Sequence, residues 1–208
     1  MKRWTLLGVA FLGPAVAQAD EPHTHDGLYL RLDMGLAFAS MSADTDLGFG
    51  SAEELKISGA GGTFGLAVGG SVTENLVLFG ELFDDVVFNP TVEYAGVEAD
   101  TMDTSVGVFG FGAGLAYYFM PSNLYLSLTL AAAMLQADVD GEKVAETDLG
   151  FGANFLIGKE WWVSDQWGLG LAGQFFLGKM KDSGEDAAGE VPSWTTVAFG
   201  VVFSATFN

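Results

Sequence analysis

From Leu28 onward the chain alternates with a period of two: Leu28, Leu30, Leu32, Met34, Leu36 and Phe38 fall on even positions, while Tyr29, Arg31, Asp33, Gly35 and Ala37 fall between them. Successive side chains of a strand point to opposite faces, so such a segment has one oily face and one polar or small face. The same alternation returns in seven later segments, led by Phe64, Leu76, Phe109, Leu124, Leu149, Trp167 and Val197. Half of the 208 residues are hydrophobic, yet after Ala19 no 18 consecutive residues stay apolar, so the chain offers no transmembrane helix. The 29 glycines spread through the apolar segments would weaken helices by about 1 kcal/mol each. The apolar residues therefore belong in strands.

Links between the strands alternate as well. Val72-Thr73-Glu74-Asn75, Met120-Pro121-Ser122-Asn123 and Val163-Ser164-Asp165-Gln166 read as tight turns, whereas residues 41–56, 84–104, 138–147 and 179–193 read as longer acidic links. Short turns on one side and long loops on the other are how transmembrane barrels are built. The expected fold is all-β, an eight-stranded antiparallel up-and-down transmembrane β-barrel over residues 27–208. A lipocalin-like barrel would need the other face to meet water, and that face, mostly Gly, Ala, Ser and Thr, has too few charges for a soluble exterior. Turned outward, the bulky face from Phe109 to Phe119 would cover about 23 Å of membrane at a tilt of roughly 45°. The small face would fill a lumen that has room only for side chains.

Residues 1–19 read as a secretory signal peptide: Met1-Lys2-Arg3, an apolar stretch from Leu6, and the cleavage pattern Ala17-Gln18-Ala19. Residues 20–26, Asp20-Glu21-Pro22-His23-Thr24-His25-Asp26, read as a flexible periplasmic tail rather than a metal site. The net charge is −19, which excludes nucleic acid as a partner. With no cysteine there is neither disulfide nor thiolate metal centre, and no cofactor is expected. Gly168-Leu169-Gly170-Leu171-Ala172-Gly173 matches a dinucleotide-binding fingerprint but sits inside a period-two strand, where no helix opens.

Two groups of residues stand out. Arg31, Asp33, Glu81, Asn154, Glu160 and Gln174 are expected inside, as a polar network in which Arg31 is the base that can meet Asp33 or Glu81. Tyr117, Tyr118, Phe119, Tyr125, Trp161, Trp162 and Trp167 lie within a few residues of the short turns and are expected to form an aromatic belt at the periplasmic interface.

With these strands, these turns and the closing segment from Phe199 to Asn208, the chain resembles small outer-membrane barrels of the OmpX, OmpA-transmembrane-domain and OmpW kind. It departs from them in placing Asn208 after the aromatic Phe207. The resemblance implies an outer-membrane location with both ends periplasmic, and a final strand read by the barrel-assembly machinery. It also implies contact with lipopolysaccharide, with divalent cations at the acidic loops as a further possibility. Enzymes of similar architecture, such as lipid-A deacylases, palmitoyl transferases and omptin proteases, use a histidine; here the histidines are His23 and His25, ahead of the first strand. The expected role is non-enzymatic, structural or in surface contact, with the lumen plugged. The alternative is an OmpW-like conduit or binding site for a small apolar solute.

Overall fold

The computed structural model describes residues 24–45, 53–184 and 189–208. The signal-peptide segment 1–19, His23 and the loop acids Asp46, Glu185 and Asp186 lie outside the described residues. The strands are β1 (Leu28–Thr45), β2 (Glu53–Thr73), β3 (Leu76–Phe88), β4 (Thr91–Tyr94), β5 (Val97–Asp100), β6 (Thr104–Phe119), β7 (Leu124–Val139), β8 (Glu142–Glu146), β9 (Gly150–Trp162), β10 (Trp167–Lys181) and β11 (Ser193–Phe207). Eight of them, β1, β2, β3, β6, β7, β9, β10 and β11, pair antiparallel in sequence order and close through β1 on β11. Closure leaves the wall no free strand edge.

The bulky face points out. Leu36, Phe111, Leu126, Ile157 and Val201 are exposed on the wall, while Tyr29, Arg31, Phe79, Phe83 and Phe176 are buried within it. Inside are three layers. Toward the short turns lies an apolar layer with Tyr29, Val77, Phe79, Tyr118 and Tyr125. Toward the long loops lies another, with Met41, Phe83, Val87, Val108, Leu135, Phe176 and Met180. Charged and amide side chains fill the level between them. Glycine makes room for the large rings: a Cβ on Gly110 would lie 2.2 Å from the Phe83 ring, and one on Gly152 would lie 2.5 Å from the Phe176 ring.

The strands run further into the long links than expected. Of the link 41–56, residues to Thr45 belong to β1 and those from Glu53 to β2, paired as Asp44 with Glu54 and Ser42 with Lys56. The pattern here is inverted: Met41 and Ala43 are buried inside, while Ser42 and Asp44 face out. Alternation continues but polarity changes sides, as it must where the wall leaves the apolar band. The link 84–104 likewise holds the end of β3 and the hairpin β4–β5, which pairs with β2, and 138–147 holds β8 on β7.

Candidate functional site: the lumen and its two ends

β1 and β3 bring the central charges together. Arg31 is fully buried; its Nε donates to Asp33 Oδ2 at 2.8 Å, its Nη2 to Glu81 Oε1 at 3.1 Å and its Nη1 to the Tyr29 hydroxyl at 3.0 Å. The guanidinium lies 5.3 Å from the Phe79 ring centroid and 5.8 Å from that of Tyr125, so its faces meet aromatic rings while its edge meets carboxylates. Thr129 donates to the other oxygen of Glu81, and the Asn154 amide is hydrogen-bonded to the same carboxylate.

The structure does not join all six interior residues in one network. Gln174 belongs to a separate group nearer the loops, where Thr63 Oγ1 donates to its Oε1 at 2.8 Å and its Nε2 donates to Asp85 at 3.2 Å. Glu160 is held apart toward the turns, accepting from Thr206 Oγ1 at 2.6 Å. Sequence reasoning places Asp85 in an outer loop; in the structure it is buried inside the wall, because β3 continues to Phe88 with unbroken alternation. Tyr29, which the alternation places on the inward face, is a further member of the Arg31 group through its hydroxyl, a contact the sequence pattern does not signal.

The aromatic belt needs a correction. Tyr117, Phe119, Trp161 and Trp167 do face outward near the turns, but Tyr118 and Tyr125 are buried in the lumen and Trp162 is half-buried against the tail. Alternation explains this: Tyr118 follows an outward residue on its strand, and Tyr125 is its register partner across β7. Distance from a turn selects the level of a residue, not its face.

The tail needs a second correction at His25, which is fully buried rather than free. Its ring stacks on Tyr118 at 3.5 Å between centroids; Nδ1 pairs with Asn208 Oδ1 at 2.6 Å and Nε2 with Asn123 Oδ1 at 2.9 Å. The Asn75 backbone N–H donates to the His25 carbonyl at 3.0 Å, and the Asn75 side chain accepts from the His25 N–H at 3.2 Å. Asn75 and Asn123 occupy the left-handed region, with φ of 64° and 52°, which asparagine tolerates better than most residues. The turn residues thus serve twice, bending the chain and gripping the tail. Asn208, the departure from the usual terminal aromatic, completes the grip.

Burial pushes the His25 imidazole below its ordinary value, against the smaller opposing effects of Asn123, Asn208 and the nearby Asp26 charge. A base depressed in the folded state gives stability that is complete above the free value of 6.5 and drains away as pH falls from there toward the folded value. The protection of amides 24–27, taken relative to their intrinsic exchange rate at each pH, is therefore expected to fall between pH 7.5 and 5.5. In His25→Gln protection should show no added acid sensitivity. Equal acid sensitivity in both proteins would place the cause elsewhere.

At the opposite end, Met41, Ile57, Val106, Leu135, Ala137 and Trp194 line a cavity of about 160 Å³ on top of the inner apolar layer, with Glu146 and Asp182 at its edge. Trp194 Nε1 donates to Asp182 Oδ2 at 3.2 Å. A wider hollow of about 640 Å³ lies among wall residues such as Leu115, Leu126, Phe155 and Phe175, which belong to the outward apolar surface rather than to the lumen.

No family model matches the chain, and no curated protein matches it in sequence. Solved structures do. The outer membrane protein OprG from Pseudomonas aeruginosa aligns with a TM-score of 0.55 at 12% identity, covering 91% of this chain and 100% of that one. The outer membrane protein AlkL, determined by solid-state NMR in DMPC bilayers, aligns with a TM-score of 0.50 at 14% identity, covering 96% and 97%. At these identities the likeness establishes a shared fold, that of small outer-membrane β-barrels.

Proposed function

We propose that this chain is a non-enzymatic integral barrel of the outer membrane, its short turns and both chain ends periplasmic, serving the envelope as a structural or surface-contact element rather than as a pore. The observation that supports this reading is the stack of buried side chains inside the wall: an apolar layer, a layer of paired charges and a second apolar layer. A wall apolar over its whole circumference suits a bilayer and not water. His25 has both ring nitrogens occupied by asparagines, which leaves it no part as a base. Exposed carboxylates at the loop end, among them Glu53, Glu54, Glu98 and Asp100, suit divalent cations that bridge to lipopolysaccharide phosphates.

Refolded protein in planar bilayers is expected to show no stable conductance steps, and sizeable long-lived channels would overturn the sealed-lumen reading. The cavity beneath Trp194 supports a second reading, in which the mouth holds a small apolar solute without passing it through. Uptake of apolar solutes in a deletion strain separates the two: unchanged uptake favours the structural role, and lost uptake favours the solute role.

A further inference from the structure

Two tiers of outward side chains cross β6, β7, β9 and β10 on the turn side of the wall. Tyr117, Leu126, Ile157 and Gly173 are register partners in the first, and Leu115, Leu128, Phe155 and Phe175 in the second. Gly173 ends its tier without a side chain, and a Cβ built there would meet nothing nearer than Ile157 at 3.8 Å. A notch therefore opens between Leu171 and Phe175, its outward neighbours on the same strand. The two tiers line the wall hollow of about 640 Å³. A hollow with such a lining takes hydrocarbon rather than water.

One tier nearer the turns stands Lys159, flanked by its register partners Leu124 and Leu171. A lysine on the lipid face is costly unless its ammonium reaches the interface. Here it does: Nζ donates to the Ser122 carbonyl in the turn at 2.5 Å and lies 5.7 Å from the Trp161 ring centroid. An ammonium has three N–H donors, and the carbonyl uses one. Among the described residues Lys159 is in no ion pair, and the other described lysines, Lys56, Lys143, Lys179 and Lys181, lie toward the loops. One positive charge thus stands about 7 Å along the strand from Ile157 and the hollow. We propose that this face binds one anionic glycerophospholipid of the turn-side leaflet, its phosphate on Lys159 Nζ and an acyl chain in the hollow, reaching the notch at Gly173. The inference rests on the membrane reading above, with the short turns in the periplasmic leaflet. Charge selects the head group: a zwitterionic head brings its own ammonium up to Lys159, whereas a glycerol phosphate head brings none.

The test is native mass spectrometry of the full folded chain released from detergent, titrated with dioleoylphosphatidylglycerol or with dioleoylphosphatidylethanolamine. The first phosphatidylglycerol is expected to bind saturably, one per barrel, and roughly fivefold more tightly than phosphatidylethanolamine, the gain of one lysine near an anionic head group. Lys159→Gln should erase that preference, and Lys159→Arg should keep it. Gly173→Leu, whose side chain would enter the hollow without a clash, should weaken the first binding of both lipids. Equal affinities of the parent chain for the two lipids would overturn the inference. So would a preference that survives Lys159→Gln, which would place the anionic lipid at the loop-side lysines, and so would a first binding untouched by Gly173→Leu. Lipid A that displaces phosphatidylglycerol at equal concentration would assign the site to the opposite leaflet's lipid and overturn it equally. Gel mobility that changes on heating is checked first: its absence counts against the membrane-barrel reading, whereas a heat-modifiable chain without lipid preference sinks only this inference. Should one variant fail to fold, the other carries the test.

Discussion

Arg31→Leu is expected to lower the unfolding free energy of the barrel by about 3–5 kcal/mol, read as a fall in the urea midpoint of protein folded into lipid vesicles. Removing the guanidinium does more than delete two ion pairs. It leaves Asp33 and Glu81 buried with no cation beside them, takes a donor from the Tyr29 hydroxyl, and opens a void between Phe79 and Tyr125. The expected signature is recovery on further substitution: with Asp33→Asn and Glu81→Gln added, most of the loss should return, because the stranded charges have gone with their partner. A triple variant as unstable as Arg31→Leu alone would show that the arginine acts through its bulk.

Phe83→Ala is expected to cost about 3–5 kcal/mol on the same measurement, since the ring is buried at the centre of the loop-side layer. Its partner is Gly110, directly across β6, where any side chain would collide with the ring. Gly110→Leu alone should destabilise by about 1–3 kcal/mol through overpacking. The double variant is where packing is put to the test: leucine on one strand refills what the lost phenylalanine vacates on its neighbour. The double should therefore be more stable than the sum of the two single effects predicts. Strict additivity would mean that the two positions do not share space. The same variants examine the seal, because Phe83→Ala alone, with Phe176 as the remaining ring beside it, thins the loop-side closure.

Much of the lumen was legible because a strand offers only two faces. Once Leu28 through Phe38 faced lipid, Arg31 and Asp33 had to point inward, and their meeting with Glu81 followed from a scarcity of bases. Nearness to a turn is the weaker guide: it groups Tyr118 and Tyr125 with the belt, although each occupies an inward position on its strand. Strands also outrun the apolar band: Met41 and Ala43 alternate against the polar outward Ser42 and Asp44, and Asp85 points inward beside Asp84, patterns that resemble loops when only oily outward faces are sought. No local signal in the tail marks His25 as buried. Its partners Asn75, Asn123 and Asn208 lie 50, 98 and 183 residues away.

By itself the order of residues determined the class of fold and the direction each strand faces. Both are set by the two-residue repeat of an extended backbone and by the preference of oily side chains for an apolar surrounding. Only closure of the wall decided which interior groups meet. Register and shear place Tyr29 on Arg31, Gly110 under Phe83 and the tail against three distant asparagines, and those are properties of the closed circuit of strands rather than of any one of them.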